Sequence, residues 1–240
     1  MKVNFDAELL RQMHEKITKS DIYDPHLKMY KTSGCLEEES HEIGRIRAFT
    51  QGWLERESNF LHMNYKYLLG LLKSGLYDAF YEALKTNLVC FMNPKTYGRS
   101  TLENSSFIVP TNNPNPKIHG QGFFARLTGS TVETIHMWSV MMTGGVPFKE
   151  RDGQLVLKFE PKLSKAFFKS DKTLSFTFLK DITVTYINQS MQDTYTTCDI
   201  HKMVLSNNKT TKTIEGDVIC GDLAIQVRDG IYKNIKIYMN

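Results

Sequence analysis

Four cysteines, two tryptophans and seven prolines are few for 240 residues, and no stretch approaches the roughly 18 uninterrupted apolar residues of a membrane span. Cys35, Cys90, Cys198 and Cys220 are scattered without C-x-x-C spacing, which excludes a zinc-knot pattern and a dense disulfide framework. Charge of one sign is lacking too. Thirty basic against 26 acidic residues leave +4, without the clustered basic stripe that nucleic-acid binding demands. A small anion suits this balance better than a polyanion. The N-terminal MKVNFDAELLRQMHEK has no apolar signal core, so neither secretion nor membrane insertion is expected and a reducing cytoplasm is the default location. Sequon matches at Asn104, Asn188 and Asn208 therefore carry little weight. No Walker loop, dinucleotide fingerprint, kinase motif set or G-x-S-x-G elbow is present, and no HExxH or comparable ligand spacing points to a metal.

What is there changes character near Pro147. Before it, apolar residues recur at helical spacing; after it, they alternate with polar ones. Leu61, Tyr65, Leu68 and Leu72 predict a helix over residues 54–73, Ser74-Gly75 punctuates it, and Leu76, Phe80, Leu84 and Leu88 predict a second helix packed antiparallel to the first. A third helix is predicted over 131–143, apolar on nearly every side and hence buried, ended by Gly144-Gly145 and Pro147. Residues 91–124, rich in Asn, Pro, Gly and Ser, read as one long functional loop. Beyond 148, Leu155-Leu157-Phe159, Leu174-Phe176-Phe178 and Ile182-Val184-Tyr186 read as strands with one face buried, and Asp229-Gly230 as a hairpin turn between LAIQVR and IYKNIKIYM. The expectation is an α+β chain: a helical domain over 1–148, then an antiparallel β-sandwich over 149–240.

Three stretches hold candidate chemistry. In ARLTGSTVETIHMW, Ser130 and Glu133 form a capping box pattern, while Thr128 and Gly129 precede the positive end of the helix and Arg126 lies two residues away. The run serves either as a plain cap or as an anion site. CLEEESHEIGRIR gathers Glu37, Glu38, Glu39, His41 and Glu42, whose carboxylates could meet sugar hydroxyls or stay solvated as an acidic turn. YGRSTLENSSF offers Glu103 and Asn104 among aromatics, the composition of a sugar site or of a decorated loop. His119 is a contact or a turn residue. Glu55 and Glu57, next to Trp53, read as helix-dipole partners.

FTQGW (49–53), LENSSF (102–107) and LTGST (127–131), in that order and followed by a β-rich tail, resemble the C-terminal part of the cellobiose phosphorylase-like glycoside phosphorylases over residues 45–240. The resemblance implies an α/α toroid, here in part, capped by a β-sandwich. It implies inverting phosphorolysis of a disaccharide or oligosaccharide, with inorganic phosphate as co-substrate and no other cofactor. Thr128, Gly129 and Arg126 would hold phosphate; Glu103, Asn104 and Trp53 would hold sugar. The family's phosphate-binding histidine falls on Phe49 here, and a phenyl ring cannot donate to phosphate. Arg45, Arg47 or His41 then substitutes, or the chain is an inverting hydrolase or a non-catalytic carbohydrate-binding or subunit protein. The family's general acid lies upstream, and Asp6, Asp21 and Asp24 do not resemble it. The chain is accordingly expected to contribute part of a site, to have little turnover alone, and to meet an oligomeric or complementing chain over exposed apolar helix faces.

Overall fold

Residues 6–125, 128–196 and 199–240 are described by the structure, a computed structural model. Their class is α+β, in two compact units, Met1–Met137 and Trp138–Asn240; the division falls inside a helix, ahead of the compositional break at Pro147. Among the described residues no helix is long and apolar enough to cross a membrane.

In the first unit, Asp6 caps α1 (Ala7–Thr18), and β1 (Tyr23–Asp24) and β2 (Met29–Tyr30) form a short antiparallel hairpin. Strand β3 (Asn59–Phe60) runs straight into α2 (Leu61–Lys73), followed by α3 (Tyr77–Asn87) and the single turn α4 (Pro94–Tyr97). The stripe Leu61, Tyr65, Leu68 and Leu72 is wholly buried, as are Phe80 and Leu84 on α3. Periodicity of 3.6 placed these residues on core-facing stripes. The helix predicted from residue 54 starts at Leu61 instead. Leu54 and Glu57 have φ of 52° and 57°, a left-handed backbone that helical propagation cannot accommodate. FTQGW therefore lies in turns and opens no helix.

The predicted long loop is likewise corrected: it contains α4, β4 (Ser105–Ile108) and β5 (Gly122–Ala125), which with β3 make an antiparallel sheet in the order β3-β4-β5. Helix α5 (Thr128–Thr143) starts before the predicted Thr131. It is not buried all round. Met137, Val140, Met141 and Met142 are buried, whereas Val132 and Ile135 are 58% and 61% exposed.

The second unit carries β6 (Phe148–Arg151), β7 (Gln154–Lys158), β8 (Thr173–Phe178), β9 (Ile182–Asn188), β10 (Ile200–Ser206), β11 (Thr211–Glu215), β12 (Val218–Cys220), α6 (Asp222–Arg228) and β13 (Asn234–Met239). They form a five-stranded sheet, β11-β10-β13-β9-β8, and a three-stranded one, β12-β7-β6. Period-2 burial is clear in β9, where Ile182, Val184 and Tyr186 are fully enclosed. Phe148 of β6 stacks on Phe178 of β8 at 6.0 Å, and Phe159 meets Phe178 and Tyr186 edge-on.

Two expectations are corrected. LAIQVR is the body of α6, burying Ala224 and Val227 three residues apart on one helix face, so Asp229-Gly230 ends a helix and turns no hairpin. Consequently β13 enters beside β9 in parallel, and the sheet is not wholly antiparallel. A parallel neighbour needs a crossover, which α6 lies in.

Candidate functional site

Gly129 sits in the first turn of α5, and His62 in the first turn of α2. A Cβ on Gly129 would come within 2.5 Å of His62 Cε1 and Nδ1, so only a glycine lets the imidazole edge lie on this turn. One turn further along α5, Glu133 Oε1 is 3.7 Å from His62 Nε2. Positions 129 and 133 share a helix face, and His62 is wedged against both. The imidazole remains 24% exposed. Two helix N-termini, each a positive dipole end whose first amides have no partner within their own helix, thus belong to one residue pair.

The capping box is corrected here. Since α5 starts at Thr128, Ser130 lies inside the first turn, buried, with its carbonyl accepting from Thr134 Oγ1 at 2.9 Å, and Glu133 is turned to His62. Arg126 and the Thr128 hydroxyl lie outside the described residues.

Sheet register sets where the loop residues lie. Ser105 of β4 pairs with Ala125 of β5, so Glu103, just before β4, and Gly129, just after β5, leave the same end of the sheet. The Tyr97 hydroxyl holds this end: it donates to the Glu103 carbonyl at 2.7 Å, accepts from Ser105 N–H at 2.8 Å and meets Ser105 Oγ at 2.7 Å. Gly122 leaves room for that tyrosine, whose ring would stand 2.3 Å from any Cβ there. The Glu103 side chain is exposed, whereas Asn104 Oδ1 accepts from Tyr65 at 3.2 Å and retains its amide nitrogen for another partner.

Aromatic rings cross the same sheet in register. Phe60 faces Phe107, and Phe107 faces Phe123, at 4.6 and 5.3 Å. Trp53 stacks on Phe123 at 4.0 Å and 4°, Phe124 tilts beside Trp53 with 54% exposure, and His62 meets Phe60 edge-on at the other end. Phe124 has φ of 52°, a costly conformation for a bulky side chain, and it presents the ring to solvent.

Other expected residues are engaged elsewhere. Phe49 offers its carbonyl to Arg56, Arg45 pairs with Glu55 at 3.2 Å, and Arg47 donates to the Leu36 carbonyl. Glu37, Glu38, Glu39, His41 and Glu42 are solvated, as dense like charges usually are. Glu57 is no helix-dipole partner but a buried carboxylate accepting from Leu36 N–H, Gln51 and Asn112 at 3.2, 2.8 and 2.8 Å. Asp24 accepts from His26 and Leu27 amides and from both Thr111 donors; Asp21 accepts from Cys35 N–H; Asp6 caps α1. His119 Nε2 bonds the Asn113 carbonyl at 2.8 Å, a turn residue. Sequence reading missed His62; the signal available was a polar ring at the start of an otherwise apolar helix. Among the described residues no group of three or more His, Cys, Asp or Glu is arranged to hold a metal.

No protein-family model matches the chain, and no curated protein matches it.

Proposed function

We propose that the chain is carbohydrate-active and forms part of an inverting β-glucoside phosphorylase of the cellobiose phosphorylase-like kind, acting on a disaccharide or oligosaccharide with inorganic phosphate. The observation that carries this reading is His62 seated on Gly129 between two helix N-termini. The imidazole edge there adds a ring N–H donor to the helix amides, and Glu133 orients the ring; together they suit a phosphate. Thr128 and Arg126 are assigned to the same anion. Glu103 and the free amide of Asn104 supply sugar hydroxyl contacts from the same end of the sheet, and Trp53 supplies a ring face.

In the reaction, phosphate oxygen attacks the anomeric carbon from the face opposite the departing oxygen. The glycosidic C–O bond breaks as the C–O–P bond forms, and the departing oxygen takes a proton from a carboxylic acid. Asp6, Asp21 and Asp24 have structural partners and do not serve as that acid. The acid is therefore assigned to residues beyond this chain, which alone should turn over little or no substrate; the helices then belong to a partial α/α toroid and the two sheets to a sandwich cap. Exposed Val132 and Ile135 on α5 suit coverage by such a complementing or identical chain. Cytoplasmic location belongs to this reading, because phosphorolysis draws on intracellular phosphate.

Phosphate titration tests the anion site. At 100 times its Kd, phosphate should stabilise the fold by about 2.7 kcal/mol, and Thr128→Val or His62→Ala should remove this protection. Sulfate-insensitive, phosphate-insensitive melting of the unsubstituted chain rules the site out. Release of free sugar in place of sugar 1-phosphate assigns a hydrolase, and oligosaccharide binding without any phosphate effect assigns a non-catalytic binding protein.

A further inference from the structure

A cleft of about 320 Å³ lies between α1, the β1–β2 hairpin and α3, within the N-terminal unit and among residues the proposed phosphorylase site does not use. Its size is at the lower end of small-molecule sites, about 300–1,000 Å³. His14, Tyr23, Lys28, Tyr30, Glu82 and Thr86 line it. The Tyr30 ring is buried, Tyr23 leans on it at 5.3 Å, and Tyr67 backs it at 4.3 Å, so the hairpin side of the cleft is aromatic.

Lys28 has φ of 54°, a left-handed conformation costly for lysine. Thr86 Oγ1 and Asn87 Nδ2, both on α3, donate to its carbonyl at 3.1 and 2.9 Å and hold it there. The lysine is thereby fixed on the rim. Among the described residues, the Lys28 ammonium, the Glu82 carboxylate and the hydroxyls of Tyr23 and Tyr30 have no hydrogen bond or ion pair within the chain. His14 Nδ1 is bonded to Tyr67 at 2.7 Å, leaving Nε2 available. Glu15, also on the rim, lies 3.8 Å from Lys19.

Unused donors and unused acceptors therefore converge beside flat ring faces. A lone anion meets Glu82 and Glu15; a lone cation meets Lys28. A neutral polyol satisfies both kinds of group, and its C–H face fits a tyrosine ring. We propose that this cleft is a second carbohydrate site, binding one neutral pyranose unit with Tyr23 against its apolar face, Glu82 accepting from hydroxyls and Lys28 donating to them. The inference stands on the cleft's own groups and does not require the anion site at Gly129.

Backbone amide NMR of the full chain, titrated with glucose, galactose, mannose, N-acetylglucosamine and cellobiose, tests it. At least one sugar should shift amides of the β1–β2 hairpin and α3 saturably. Lys28→Met and Glu82→Gln, at exposed positions that leave the fold intact, should each weaken this binding at least several-fold, and any shifts near Phe123–Glu133 should persist. The proposal is overturned if no sugar shifts the cleft amides, if both variants bind as the unsubstituted chain does, or if glycine saturates the same amides at lower concentration than every sugar. Phosphate-induced shifts at Gly129 report separately on the proposed phosphorylase site.

Discussion

Gly129 is the residue on which the candidate site turns, because two opposed effects meet there. Alanine would favour the helix by about 1 kcal/mol, but its Cβ would lie 2.5 Å from the His62 ring, and overpacking costs about 1–3 kcal/mol. Gly129→Ala should therefore destabilise the chain in chemical denaturation, and in a His62→Ala background the same change should stabilise it. Additive effects would show that the ring and the glycine do not touch. Tyr97→Phe is a second residue-scale case: it strands the buried Ser105 N–H and frees the Glu103 carbonyl, so a loss of about 1–3 kcal/mol is expected. A midpoint unchanged in urea would refute it.

At the scale of elements, the attachment of α1 depends on pH. Burial is the main influence lowering the His14 pKa from its ordinary 6.5, and Glu82 and Glu15 oppose it. The fold thus keeps the neutral ring, hydrogen-bonded to Tyr67. A depressed native value means the unfolded chain takes up the proton first on acidification. The contribution is complete above about 6.5 and declines as pH falls from there towards the native value. His14→Gln should flatten the decline of melting temperature between neutral pH and about 5, and hydrogen exchange should show α1 loosening first in the unsubstituted chain; identical slopes in both proteins contradict this. The hairpin beside α1 is tied to the 110–113 turn by Asp24, which accepts four hydrogen bonds. Asp24→Ala leaves several donors unsatisfied and should cost on the order of 3 kcal/mol, read as a lowered denaturation midpoint.

For the whole molecule, the exposed apolar positions Val132 and Ile135 bear on assembly. If another chain covers this face, sedimentation of the unsubstituted protein should show association that Val132→Lys with Ile135→Lys reduces; a monodisperse monomer with a single cooperative melt counts against it. How legible all this was follows from range. The stripes of α2 and α3 and the alternation of β9 were readable because helical and strand periods are local and burial amplifies them. The start of α2 was not, since Leu54 and Glu57 are left-handed and the Glu57 carboxylate is held by the distant residues Leu36 and Asn112. LAIQVR was misread because a short apolar run suits strand or helix equally, and only the tertiary structure, which buries Ala224 and Val227 on one helix face, decides between them. Thr128-Gly129 stood out as a turn before a helix, but nothing near it in the chain names its partner. His62 reaches it across 67 positions only because β3, β4 and β5 pair. By itself the sequence determined the α+β class and the core stripes, which local periodicity dictates. Tertiary pairing alone decided which ring meets which glycine, since contacts between remote residues are set by register and packing.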